Sequence, residues 1–219
     1  MNVVDPIMRG HLEHVVNSLV NETRGSIGRD EIREVVYDAY EEIAAGAKFD
    51  QFIPILTMRQ ARLLLDAREY RSGSKRKDFL SVLLVCGTNA GRSQVAAALL
   101  RFYAPGRLDV VSAGQDPAQA TNPEVVTFMH EHGVELTDYP KRLRPEFIDM
   151  ADHIVFVGSN DAAVPPDKDT ERWPIPHMTG LDREAMREAI EGIDVRVRDF
   201  AARVLPGAQL PPSIFDRRS

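Results

Sequence analysis

At 219 residues, with 43% hydrophobic and 27% charged content, the chain can bury one large core or two modest ones and reads as globular. Its net charge of −6 speaks against a dedicated nucleic-acid binder. No apolar run nears the roughly 18 residues of a membrane span, and MNVVDPIMRGHLEH lacks a basic stretch followed by an apolar core. One cysteine cannot form an internal disulfide, and these features together predict a cytoplasmic protein.

Residues 1–71 are expected to form a three-helix domain. Leu12, Val15, Val16 and Leu19 make the first apolar stripe, and Gly25-Ser26-Ile27-Gly28 breaks it. Ile32, Val35, Val36, Ala39, Tyr40 and Ile43 make a second, ended by Gly46. A third helix starts near Asp50, with Pro54 in its first turn, and carries Leu56, Ala61, Leu64 and Leu65. Between Met1 and Lys75 there are 10 lysines and arginines against 12 acids, which disfavours a DNA-binding helix-turn-helix. Packing or homodimerisation is the expected role of these helices. Residues 72–77, polar and basic, read as a linker.

Residues 78–205 alternate strands and helices, which predicts an α/β domain with a four-stranded parallel, doubly wound sheet. Val82–Val85 is a buried strand, and a helix opens at Arg92-Ser93. Leu108–Ser112 is the second strand, and Asn122-Pro123 caps a helix that runs to His132. A short helix at Arg144–Met150 precedes the third strand, Ile154–Val157. The fourth lies around Arg172-Trp173, the last helix spans Asp182 to Val204, and 206–219 is read as a tail.

The first strand ends at Cys86, and Gly87-Thr88-Asn89-Ala90-Gly91 connects it to the helix. A small-residue loop before a helix aims backbone N–H groups and the positive end of the helix dipole at one point. Gly87 and Gly91 permit close approach, Asn89 tolerates a left-handed conformation, and Arg92 offers a fork matching two oxygens of a tetrahedral oxyanion. The same field favours the thiolate of Cys86, and Ser93 is placed to donate to its sulfur. The loop lacks the Gly-Lys-Ser/Thr ending of a nucleotide-binding P-loop, and the histidines lack the paired spacing of a metal site.

Cys86, five residues, Arg92 and Ser93 together resemble the low-molecular-weight protein tyrosine phosphatase superfamily, which includes the arsenate reductases of that fold. Ser112-Ala113-Gly114, Pro140-Lys141-Arg142-Leu143 and Ala151-Asp152-His153-Ile154-Val155 extend the resemblance over about Phe79 to Leu205. With Phe52 to Leu56 and Arg59-Gln60-Ala61-Arg62 ahead of it, the chain is similar to single-cysteine, mycothiol-linked actinobacterial arsenate reductases with an N-terminal three-helix domain. The resemblance implies catalytic roles for Cys86, Arg92 and Ser93, and oxyanion binding by Gly87 to Arg92. The family's Asp-Pro, a proton donor to the leaving oxygen, is replaced here by His177-Met178, so His177 becomes the candidate acid. Asp182 reads as a helix cap, and Asp167 and Asp169 as solvated.

Arg92-Ser93-Gln94 resembles the reductases, where the phosphatases read Arg-Ser-Pro. The resemblance then implies arsenate as substrate, no bound cofactor, mycothiol as external thiol and a mycoredoxin-like reductant that releases arsenite. Phosphomonoester hydrolysis through a phosphocysteine is the alternative, with Asp138-Tyr139 as a rim or a plain surface turn. A non-catalytic anion-binding module is the third reading.

Overall fold

The computed structural model describes residues 4–46, 50–158 and 165–216. The chain divides into two compact units, Met1–Lys77 and Asp78–Ser219. In the first, α1 (Pro6–Thr23) starts on Asp5, whose carboxylate accepts the Ile7 and Met8 amides, with Pro6 at a position where no amide is needed. It packs with α2 (Arg29–Gly46) and α3 (Ile53–Ser72), the latter entered through a 3-10 turn at Asp50–Phe52. Leu12, Val16, Leu19, Ile32, Val36 and Leu65 are fully buried, so the periodic stripes form the core of this bundle. Gly73, at φ 75, ends α3, and Lys75 turns back to Asp66 at 2.5 Å, so part of the expected linker is tied to the bundle.

The second unit is a four-stranded parallel sheet in the order β2-β1-β3-β4. Its strands are β1 (Leu80–Cys86), β2 (Leu108–Gly114), β3 (His153–Val157) and β4 (Asp169–Trp173). Helices α4 (Arg92–Tyr103), α5 (Pro123–Glu131), α6 (Pro145–Met150) and α7 (Arg183–Val204) cover its two sides. Strand β1 is central and buried from Ser81 to Cys86, which is why it reads as a continuous apolar run. The chain leaves β1 toward β2 and returns past it to β3, so the carboxyl end of β1 is a topological switch point, where ligands of such sheets bind. Among the described residues, no helix is long and apolar enough to cross a membrane.

The described part of the segment read as a tail, up to residue 216, is not one. Ser213 and Ile214 are buried, Ser213 donates to Asp194 Oδ2 at 2.7 Å, and the Ile214 amide donates to Tyr103 Oη at 3.0 Å. Tyr103 in turn donates to Asp194. The strap closes over α4 and α7 because Ile214 supplies apolar surface, its amide is satisfied by Tyr103 and the Ser213 hydroxyl by Asp194. Burial, then the Asp194 carboxylate, pushes the Tyr103 hydroxyl up to about 12. A phenol in the unfolded chain ionises near 10, so the stability linked to neutral Tyr103 is complete below that pH. It is lost as pH rises through about 12. Melting followed by circular dichroism should therefore fall more steeply from pH 10 to 12 in the native chain than in Tyr103→Phe.

Candidate anion-binding site at Cys86

Cys86 closes β1 and is buried. The loop after it has one consistent polarity. The carbonyls of Cys86, Gly87, Thr88 and Ala90 accept from the amides of Gln115, Asp116, Ala118 and Asn122. The carbonyl of Asn89 accepts from Gln94 Nε2 at 2.6 Å. Planar trans peptides place N–H opposite C=O. Fixing five successive oxygens outward therefore turns the amides of Gly87 to Gly91 the other way, toward the sulfur's side of the loop. Cys86, Thr88, Ala90, Gly91 and Arg92 line a small cleft there, with Asn122 and His177, Met178 and Thr179 across from them.

The loop is locked from behind by Asn89, which takes the left-handed conformation at φ 49. Its Oδ1 accepts the Lys141 amide at 2.9 Å, which fixes the orientation of the side chain. Its Nδ2 then donates to Ser93 Oγ at 2.8 Å and to Ser112 Oγ at 3.0 Å. Because Ser93 Oγ accepts from Asn89, its own hydrogen is left for Cys86 Sγ, 3.0 Å away. Ser112 donates to Asp138 Oδ2 at 2.8 Å, and Asp138 Oδ1 takes Lys141 Nζ at 2.5 Å. A connected network thus runs from the sulfur to a buried ion pair. Burial pushes the Asp138 carboxyl up, but Lys141 and Arg101, with hydrogen bonds from Lys141 and Ser112, outweigh it and hold it below the usual carboxylate range.

Arg92 is 8% exposed and donates through Nη1 to the Ile175 carbonyl at 3.2 Å. Gly158 makes room for it. A Cβ at 158 would lie 1.8 Å from Nη1, and the residue sits at φ +96. Gly114, opposite Cys86 in the β1–β2 register, is equally constrained, since a Cβ there would lie 2.7 Å from the Asn89 nitrogen.

His177 is exposed at the cleft, where its Nδ1 accepts the Thr179 amide at 3.3 Å. Among the described residues lining the cleft there is no carboxylate. Asp182 caps α7 through the Ala185 amide, and Asp167 and Asp169 are both exposed, Asp169 pairing with His153 at 2.7 Å. Asp138 is not part of a plain surface turn, because its side chain is buried behind the loop. Gln94, singled out only as part of the Arg-Ser-Gln run, braces the loop between the Asn89 carbonyl and the Thr121 hydroxyl.

Residues 81–206 match the family model described as low molecular weight phosphotyrosine protein phosphatase. The chain belongs to this family. Within it, the chain is similar to the thioredoxin-dependent arsenate reductase of Corynebacterium glutamicum, at 31% identity and a TM-score of 0.79 over 88% of this chain and 96% of that one. It is also similar to arsenate reductase 1 of Bacillus cereus, with 25% identity over 126 residues, which are 55% of this chain and 93% of the relative. A tyrosine phosphatase of Erwinia amylovora shares the fold at 20% identity, with a TM-score of 0.51 over 58% of this chain and 94% of its own.

Proposed function

We propose that this member of the family reduces arsenate, with Cys86 as nucleophile and a low-molecular-weight thiol, mycothiol by resemblance, as external reductant. The observation that carries the reading is a single sulfur facing inward-turned amides and Arg92 in a chain that has no second cysteine. The similarity to arsenate reductases, one of them over most of this chain, supports arsenate as the oxyanion. That relative is named as thioredoxin-dependent. Here an internal disulfide is unavailable, so the electrons come from thiols outside the sequence.

In this reading the amides of Gly87, Thr88, Asn89, Ala90 and Gly91 and the Arg92 guanidinium hold the oxyanion. The Cys86 sulfur attacks arsenic while one oxygen leaves as water, and His177 at the mouth supplies a proton to it. Ser93 donates to the sulfur and stabilises it whenever it carries negative charge. The small thiol then displaces Cys86 from arsenic, still pentavalent, as a thiol–arsenate adduct. A mycoredoxin thiol attacks the sulfur of that adduct. Arsenic takes the electron pair and leaves as arsenite, and the two thiols leave as a mixed disulfide.

Purified protein given arsenate, mycothiol and mycoredoxin should form arsenite, and Cys86→Ser should slow this by about a thousandfold or more. His177→Ala should slow it while leaving phosphate affinity unchanged, and full activity in that variant removes the histidine from the mechanism. Rapid hydrolysis of para-nitrophenyl phosphate without arsenite assigns the site to ester hydrolysis instead. Inactivity in both assays with phosphate still bound leaves an anion-binding module.

A further inference from the structure

A thiol co-substrate has a body as well as a sulfur, and the cleft over Cys86 cannot hold it. The cleft has a volume of about 20 Å³, little more than the space a single small species occupies. A second concavity, of about 310 Å³, is lined by Glu124, Thr127 and Phe128 of α5, by Leu181 and Asp182 just before α7, and by Arg183 and Met186 in its first turn.

The two hollows share their walls. Asn122 faces the cleft and Glu124 faces the groove; Thr179 faces the cleft and Leu181 faces the groove. On each side the step is two residues, at most about 7 Å of chain. Val125 and Met178 both lie within 3.8 Å of where a Cβ on Gly91 would sit, so α5 and the His177 loop close on the same point of the anion loop.

The groove's chemistry narrows its occupant. Its floor includes Phe128 and Met186, both buried, and its edge carries the Thr127 hydroxyl. Its charges are the Glu124 and Asp182 carboxylates and one guanidinium, Arg183, which is already held by Glu131 at 2.6 Å and lies 5.8 Å from the Phe128 ring centre. Such a lining repels a phosphorylated thiol and suits an uncharged, hydroxyl-bearing one.

We infer that the groove between α5 and the start of α7 is the binding site for the body of an uncharged low-molecular-weight thiol, which delivers its sulfur to the Cys86 cleft past Asn122 and Thr179. The inference rests on the arsenate-reductase reading, and binding tests it separately from turnover.

S-methyl mycothiol, whose blocked sulfur cannot react, would be titrated into the full native chain by calorimetry, with backbone amide shifts recorded by NMR. Binding should move the amides of 124–128 and 181–186, and a phosphorylated thioether such as S-methyl coenzyme A should bind at least about tenfold more weakly. Thr127→Arg and Glu124→Arg, both at exposed positions, should each weaken S-methyl mycothiol by about tenfold or more. Phosphate titration and melting temperature control for folding of these variants. Equal affinity in all three chains, shifts confined to 86–92 and 177–179, or no binding to the native chain overturns the groove. Groove binding in a protein that forms no arsenite sinks the arsenate reading and leaves the groove standing.

Discussion

Gly158→Ala is expected to weaken arsenate and phosphate binding by about 10- to 100-fold and to lower turnover at least as much, with a smaller effect on folding. Gly158 follows β3 at φ +96, a conformation costly for any residue with a Cβ. The larger conflict is with Arg92, since the new methyl would lie 1.8 Å from Nη1 and 2.6 Å from Cζ. A side-chain end yields more readily than backbone, so the guanidinium leaves, and its bond to the Ile175 carbonyl goes with it. What the oxyanion loses is a charge-assisted contact, worth about 1.5–3 kcal/mol, which sets the expected loss of affinity. Calorimetric titration of phosphate, together with KM and kcat for arsenate, reads the effect. Native affinity in Gly158→Ala would show that Arg92 does not depend on this glycine.

The difference between Gly158 and the anion loop shows which information a sequence carries locally. The unit β1, loop and α4 was legible because an apolar run, five small residues and a helical pattern adjoin one another, and each restricts its own backbone. Asn122 and Asp182 were legible as caps for the same reason, since a cap bonds to amides two or three residues ahead. Gly158 carries no such signal, because its constraint is a side chain that starts 66 positions earlier in the chain. Asp138 and Tyr139 look like a rim or a surface turn in the sequence, and the Asp138 side chain is buried only because Ser112, from another segment, and Lys141 close on it. Gln94 sits on a helix that reads as amphipathic, yet α4 is enclosed on nearly all sides between the sheet and α7, so its polar residues serve the loop rather than solvent. The 213–216 strap was missed because Ile214 and Phe215 are too few to make a pattern, although together they bury against Tyr103 and Phe128.

Asp138→Ala is expected to destabilise the sheet unit by about 3–5 kcal/mol, the cost of removing one partner from a buried ion pair. The Lys141 and Asp138 side chains are 2% and 8% exposed, and Lys141 would lose the carboxylate it holds at 2.5 Å. Thermal melting should show the loss, and Asp138→Ala combined with Lys141→Met should recover much of it by removing the buried cation too. The acid limb gives an independent check. Asp138 is held below the usual carboxylate range, so its contribution is present above the unfolded value near 3.9 and disappears as pH falls through the lower folded one. Native melting temperature should therefore drop more steeply below about pH 4 than that of Asp138→Ala. The double variant also separates folding from positioning. Ser112 loses its acceptor in that chain, so Asn89 Nδ2 and, through it, Ser93 are less firmly aimed at the sulfur even when the fold is stable. Restored stability with arsenate turnover still about tenfold low or worse is the expected result, since a small misplacement of a reacting group costs rate without costing structure. Full recovery of turnover together with stability would confine the buried pair to holding the fold.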